Sequence, residues 1–386
     1  MKIAGLTVNS DSQLNPRPIK IRPMTISLTE KNKKIILIAT QVINSSILFN
    51  NGLLQNIIFF YNLFEVMGYE PHFVFNDSPN PDTPLLKGYR YMLPEDIVKK
   101  PLPVYLYIEV GMSVEKSFSM FLREIGAKIV RLYLGHILNI DIETTTKTPQ
   151  INFPHHSIGS LDQIWVSPHY AGHLEYACAM NRVGLSRGRI APYIWMPTFL
   201  PKGNWISEMQ RDFVIAEPNI SFQKCALLPL VLIEIYAAAH PEWRGRVKIM
   251  NSERLRANNH FQIAILGKSP LKDRIDLLGR ETVHELTANN PGGVFIGHHF
   301  NNEYNYMTLE LTVAGWPVLH TSSIWKDFGY YWSHTHLDEA VALLHNIVNN
   351  HHKNIESYKK SGELLAWNYC IHNEVVQNRW KQLIEE

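Results

Sequence analysis

The stretch Asn302-Glu303-Tyr304-Asn305-Tyr306-Met307-Thr308-Leu309-Glu310, continuing to Gly315-Trp316-Pro317-Val318-Leu319, is the most chemically specified part of the chain. Polar residues open a helical run, Glu310 falls within it, and Gly315-x-Pro317 breaks it into an apolar strand. Such a loop directs backbone N–H groups and the positive end of a helix at one place, which suits an anion such as a diphosphate. Glu310 is suited to accept hydrogen bonds from a ribose diol. The same residues also fit an ordinary helix–glycine–strand corner with a solvated glutamate. Two other positions draw notice. Glu109 ends an apolar run two residues before Gly111 and is a candidate general base for a hydroxyl group, or else a loop carboxylate held by backbone N–H groups. His136, in Leu134-Gly135-His136, is a rival base.

Three further clusters carry less information. Glu217-Pro218-Asn219 follows a short strand-like run, and Lys224 falls near the start of the next helix, where a cation beside a helix N-terminus suits a diphosphate leaving group. Asn51-Gly52 opens a helix, and glycine there permits close backbone approach to a ligand. The chain has 18 histidines, including the adjacent pairs His155-His156, His298-His299 and His351-His352. Neighbouring side chains rarely converge on one ion, His284-Glu285 lacks the second histidine of a zinc-protease helix, and no Asp-x-Asp is available, so no metal site is expected. His298 or His299 is instead expected to line a ligand cleft. A Gly-x-Gly-x-x-Gly fingerprint and a complete Walker loop are absent, which argues against dehydrogenases and P-loop enzymes.

The elements that must position these residues alternate. Ile35–Ala39 reads as a buried parallel strand, 53–67 as a helix, 72–75 and 104–110 as strands, 115–125 as a helix, 128–133 and 163–167 as strands. Three prolines between Pro192 and Pro201 mark a linker. The alternation restarts with strands at 213–216 and 246–250 around a helix at 227–239, an ambiguous run at 261–266, a strand at 294–296, a helix at 306–314 and a strand at 317–319. Helices are expected at 337–349 and 361–384. The fold class is therefore α/β: a basic arm over residues 1–34, a doubly wound domain over 35–195, a second over 196–365, and a terminal helix over 366–386 crossing back.

Length and composition agree with that scheme. A chain of 386 residues exceeds what one core usually organises, and 45% hydrophobic residues supply two. Thirty-seven Lys+Arg against 35 Asp+Glu leave a formal charge of +2, so any anionic partner must be met by a local patch such as the arm (Arg17, Lys20, Arg22, Lys31, Lys33, Lys34) or the Arg182–Arg189 stretch. Cys178, Cys225 and Cys370 are scattered, with no disulfide or zinc spacing, which fits a reducing compartment. No signal peptide and no membrane span are expected, and the expected location is the cytoplasm, that of a host cell if the source is viral.

In order along the chain, Asn51-Gly52-x-x-Gln55-Asn56, Ile108-Glu109-x-Gly111, Glu217-Pro218-Asn219 with Lys224, Asn305-Tyr306, Glu310-x4-Gly315-x-Pro317-Val318, His320 and Gly329-Tyr330-Tyr331 resemble the GT-B glycosyltransferases. Within them the pattern is similar to a bacterial and viral family filed as a domain of unknown function, over about residues 35–380. The resemblance implies two Rossmann-like domains facing a cleft. It implies a nucleotide-sugar donor bound by Asn51, Gly52, Glu217, Asn219, Lys224, His298, Asn305, Tyr306 and Glu310, with Glu109, His136 and Lys224 as catalytic candidates and neither cofactor nor metal. The sequence departs from the pattern at Thr321, where the family has asparagine, and at Trp332, departures that bear on the acceptor. The expected activity is transfer of a sugar to a hydroxyl of a glycan or other small acceptor. One alternative is a viral enzyme modifying hydroxymethylated bases in duplex DNA, in keeping with a composition rich in Asn, Ile and Lys. The other is a non-catalytic module that binds sugar nucleotides.

Overall fold

The computed structural model describes residues 33–43, 52–79, 86–113, 115–146, 155–219, 223–333 and 335–386. Asn51 and the arm before Lys33 lie outside the described residues. The described chain divides into two compact units, one running to Met196 and including Ala366–Glu386, the other Pro197–Leu365.

The first unit is built on seven parallel strands, β1 (Ile35–Ala39), β2 (Glu70–Val74), β3 (Tyr91–Met92), β4 (Val104–Glu109), β5 (Lys128–Tyr133), β6 (Gln163–Val166) and β7 (Gly188–Ile190), in the order β3-β2-β1-β4-β5-β6-β7. Helices α1 (Gly52–Val66), α2 (Pro94–Lys99), α3 (Lys116–Glu124), α4 (Ile137–Thr146) and α5 (Leu174–Asn181) intervene. All five residues of β1 are buried, which a parallel strand covered on both faces requires. Its register sets Ile38 between Phe73 and Ile108.

The second unit repeats the plan with six parallel strands: β8 (Phe213–Ile215), β9 (Val247–Ile249), β10 (Ile275–Leu277), β11 (Val294–Ile296), β12 (Val318–His320) and β13 (Tyr330–Tyr331), ordered β10-β9-β8-β11-β12-β13. Its helices are α6 (Leu227–Ala239), α7 (Glu253–Arg256), α8 (Val283–Ala288), α9 (Tyr306–Val313) and α10 (Leu337–Trp367). Alternation along β8 divides the core: Phe213 and Ile215 pack with Leu230, Ile233 and Trp332, while Val214 packs with Phe295, Leu311 and Trp316. In both sheets the strand order reverses beside the first strand, between β1 and β4 and between β8 and β11. Such switch points open a crevice at the carboxyl ends of the strands.

The structure departs from the sequence reading at the C-terminus. Residues 350–360 continue α10 rather than forming a break, because the polar run has tertiary partners: buried His351 hydrogen-bonds Tyr330 Oη (2.8 Å) and the Gly315 carbonyl (3.0 Å). The break falls instead at 368–373. There the Tyr369 carbonyl accepts from the Trp195 N–H (2.8 Å) and the Ile371 N–H donates back to Trp195 (3.2 Å), bonds that a continuous helix cannot supply. Asn373 then caps α11 (Glu374–Glu385) through its Oδ1 and the Val375 N–H, 2.9 Å. Residues 261–265 are a helical turn seated by buried Phe261, and the two- and three-residue strands β3, β7, β10 and β13 were too short to show periodicity. Gly184-Leu185-Ser186-Arg187-Gly188 has the spacing of a hydrolase nucleophile elbow, but it leads into β7 rather than from a strand into a helix.

Helix α11 is locked by Trp380, fully buried against Phe60 (5.2 Å between ring centroids), Phe64 (5.9 Å) and Trp165 (5.9 Å). Trp380→Ala is expected to lower stability by about 3–5 kcal/mol, read as a shifted urea midpoint by circular dichroism. A loss below about 1 kcal/mol would show that the terminal helix is an appendage rather than part of the first core.

Candidate functional site

Two residues past β8, at the switch point of the second sheet, stands Glu217, with 1% of its surface exposed. Its loop is laced by two asparagines in the left-handed backbone region, Asn219 (φ 54°) and Asn251 (φ 50°). Asn219 Nδ2 donates to the Glu217 (3.0 Å) and Met250 (2.9 Å) carbonyls, and its Oδ1 accepts from the Ala226 N–H (2.8 Å) just before α6. Asn251 Nδ2 donates to the Ala216 (3.2 Å) and Glu217 (3.1 Å) carbonyls. Asn219 therefore fixes the shape of the loop, with both ends of its amide engaged inside the fold. Sequence reasoning missed Asn251, whose partner loop lies 34 residues upstream of it.

The loop after β11 supplies the next layer. The His298 N–H donates to Glu217 Oε1 (3.0 Å). A Cβ at Gly297 would lie 3.3 Å from the same oxygen and 3.2 Å from the His299 ring, so glycine lets the two loops approach. Asn305 caps α9, its Oδ1 accepting from the Thr308 N–H (3.2 Å). That use of Oδ1 makes Nδ2 the group facing His299 Nε2 at 3.0 Å, and the same ring nitrogen lies 3.3 Å from Glu217 Oε1. His299 Nδ1 and Glu217 Oε2 are both buried and have no hydrogen-bond partner among the described residues. Thr321, the residue that departs from the family pattern, clasps the His299 backbone by accepting from its N–H (2.8 Å) and donating to its carbonyl (3.2 Å). Next to it, buried His320 donates from Nε2 to Phe328 O (2.8 Å) and accepts at Nδ1 from Ser322 N (3.2 Å). Burial drives its pKa down to about 4, so the ring stays neutral.

Two ionisable groups complete the set. Glu310 lies on the second turn of α9, 2% exposed, and its Oε1 is buried with no hydrogen-bond partner among the described residues. Desolvation alone raises its pKa well above the ordinary carboxylate range. Lys224 is half-buried in the segment that the Gln223 carbonyl ties to Phe300 N (2.9 Å). Burial lowers the Lys224 pKa, and the nearby charge of Glu217 works against that shift. Tyr306, in the first turn of α9, is buried as well. The second unit thus gathers Glu217, Lys224, His298 and Asn305 around adjoining loops at the carboxyl ends of β8 and β11, with Tyr306 and Glu310 on the helix that follows.

The remaining candidates belong to the first unit. Glu109 ends β4, 1% exposed, and its Oε2 is engaged by Arg131 Nη1 (2.8 Å) and by Ser157 Oγ (2.8 Å). This is a buried, hydrogen-bonded ion pair. His136 follows β5 and is half-buried, with its ring centroid 4.3 Å from that of His173 and its Nδ1 accepting from the Asn139 N–H (3.1 Å). Burial, then the neighbouring His173, lowers its pKa, which keeps it neutral and able to accept a proton. Gly52 is the first residue of α1, and the next residue, Leu53, lies against Gly111. Gly111 has φ +84°, and a Cβ there would meet Leu53 at 2.7 Å, so the two glycine motifs of this domain serve one helix–loop contact. The adjacent pair His155-His156 shares one partner, since both rings reach Asp141. The residue between them that matters, Asp141, is remote in sequence, and no spacing rule would have found it.

Solved structures place the architecture. A glycosyltransferase from Rickettsia africae is similar over 92% of this chain and 98% of its own, at 10% identity and a TM-score of 0.56. An α-glucosyltransferase solved with UDP and a 13-mer DNA containing an HMU base is similar over 92% and 100%, at 9% identity and a TM-score of 0.57. Anabaena Alr3699/HepE, solved with UDP-glucose, is similar over 90% and 99%, at 8% identity and a TM-score of 0.53. These likenesses establish the GT-B fold. No curated protein matches the sequence. Residues 36–384, from the first strand through nearly all of the last helix, match the family described as "Protein of unknown function (DUF2827)", and the chain belongs to that family.

Proposed function

We propose that the protein is a glycosyltransferase whose second domain binds a nucleotide-sugar donor. The observation that carries the reading is Glu310: a carboxyl group buried on a helix with one oxygen lacking any donor. Leaving such an acceptor unsatisfied costs about 1–3 kcal/mol. A ribose diol supplies a donor to that oxygen. The diphosphate is assigned to the α9 N-terminus and Lys224, where charge develops as the bond between anomeric carbon and phosphate oxygen breaks and its electron pair leaves with the diphosphate. The acceptor oxygen takes the anomeric carbon and gives up its proton. That proton leaves to solvent or to a base that comes with the acceptor; within the first unit the Glu109 carboxylate already serves Arg131 and Ser157. No metal is assigned to the donor site.

Glu310→Gln and Lys224→Ala are each expected to lower turnover by on the order of 3 kcal/mol, about 100-fold. Release of nucleoside diphosphate without acceptor is the readout, since a module that only binds would release none. Stability should move the other way for Glu310. A carboxyl pKa raised on folding contributes stability below the unfolded pKa and loses it as pH rises through the folded value. Glu310→Gln is therefore expected to match the wild-type melting temperature near pH 4 and to exceed it at about pH 8. A variant that is less stable at both pH values, or as active as wild type, contradicts the assignment.

For the acceptor we favour a glycan or other small hydroxyl compound. Duplex DNA is the second reading, favoured by the likeness to the α-glucosyltransferase solved with DNA. On the structure's side, one cation of the Arg182–Arg189 stretch is already spent, as Arg189 Nε lies 2.5 Å from Glu386. A DNA-modifying enzyme should bind duplex with an affinity that falls steeply with salt. Absence of duplex binding at low salt eliminates that reading. A steep salt slope, together with sugar transfer to duplex containing hydroxymethylcytosine, places it above the glycan.

A further inference from the structure

The first domain contains a second constellation that sugar transfer does not use. Asp141, in α4, lies 2.5 Å from His155 Nδ1 through Oδ1, and its two oxygens lie 3.0 and 2.9 Å from His156 Nε2. One ligand atom from each of the three residues falls within 4.8 Å of the others. All three side chains are largely but not fully buried, at 11–16% exposure, which leaves a path from solvent. Two imidazole nitrogens and a carboxylate oxygen converging on one point form a donor set suited to zinc and its neighbours.

The surrounding hydrogen bonds hold these groups as an outer shell holds metal ligands. Tyr176 Oη donates to Asp141 Oδ2 (2.7 Å). Tyr133 Oη lies 2.8 Å from His156 Nδ1, accepts from Asn181 Nδ2 (2.7 Å) and can donate to the His155 carbonyl (3.3 Å). With the tyrosine proton on that carbonyl, His156 Nδ1 is the donor and Nε2 presents a lone pair to a carboxylate 2.9 Å away. A proton on Nε2 makes that contact a hydrogen bond, and a divalent ion in the proton's place makes the two atoms a pair of ligands. Fully buried Asn181 also takes the Ser157 N–H on its Oδ1 (2.8 Å), and Ser157 Oγ bonds Glu109. The cluster is thus anchored to the buried Glu109–Arg131 pair and has little freedom to spread apart.

We propose that Asp141, His155 and His156 bind one divalent transition-metal ion of the zinc class, through a carboxylate oxygen, Nδ1 and Nε2, with a fourth position open. The ion ties α4 to the 155–157 segment and is separate from the donor chemistry of the second domain. Another group, His240, Glu242 and His345, also falls within ligand distance and serves as the control.

The test uses the full chain, stripped with a chelator and titrated with zinc against a chromophoric competitor. Wild type and His345→Ala are expected to bind one equivalent tightly, and His155→Ala and His156→Ala to lose it. Tyr133→Phe, which removes only the outer-shell hydroxyl, is expected to bind about 10–100-fold more weakly. Circular dichroism checks that each variant is folded. X-ray absorption of the zinc-loaded wild type should show two imidazole ligands, and this measurement decides the matter if the alanine variants do not fold. The proposal is overturned if wild type binds no stoichiometric zinc, if His155→Ala and His156→Ala bind like wild type, if His345→Ala alone loses the ion, or if fewer than two imidazoles surround it.

Discussion

A carboxyl oxygen taken out of water without a hydrogen-bond donor is among the least favourable arrangements a fold can hold, and among the described residues Glu310 Oε1 is held that way by the helix that carries it. Its position follows from the parallel sheet. The β11–α9 connection must turn at the carboxyl edge, Asn305 caps α9 there, and Glu310 follows five residues later. Leu309 and Leu311, on either side of Glu310, are both buried in the core, so the helix cannot rotate the carboxyl into solvent without exposing them. The penalty is thus built into the packing, and protonation or a ligand that brings donors relieves it.

The buried glutamates of the two domains show how surroundings assign roles. Glu109 and Glu217 both stand where the strand order reverses, Glu109 at the end of β4 and Glu217 just past β8, and each is 1% exposed. Glu109 has a guanidinium and a hydroxyl on one oxygen, a satisfied arrangement that stabilises the first domain's edge. Glu217 has the His298 N–H and, at 3.3 Å, His299 Nε2 on one oxygen, and among the described residues no hydrogen-bond partner on the other. The same residue type at equivalent places in two similar sheets is structural in one and left partly open in the other.

Much of this was legible in the sequence where burial imposes a pattern. The run Ile35–Ala39 could only be a doubly covered strand, and the Glu310-to-Pro317 corner displayed helix, glycine and strand in order. Legibility failed where tertiary partners decide. Residues 350–360 looked like a break between two helices because nothing local shows that His351 reaches Tyr330 and Gly315. Glu109 looked like a base because Arg131 sits on the neighbouring strand rather than nearby in sequence. Asp141 carries no spacing relation to His155-His156 that a motif would capture. Asn219 was read as a ligand contact, and the loop-shaping bonds of its amide had no sign in the sequence.

The central claim is that Glu310 awaits the hydroxyls of a ribose, and its most direct test changes ligand and protein together. Binding of uridine diphosphate and of its 2′,3′-dideoxy counterpart can be measured by calorimetry for wild type and for Glu310→Ala. The account predicts that wild type prefers the ribose compound by at least about tenfold, some 1.4 kcal/mol, and that Glu310→Ala binds both equally and weakly. A preference of the same size in both proteins would contradict it.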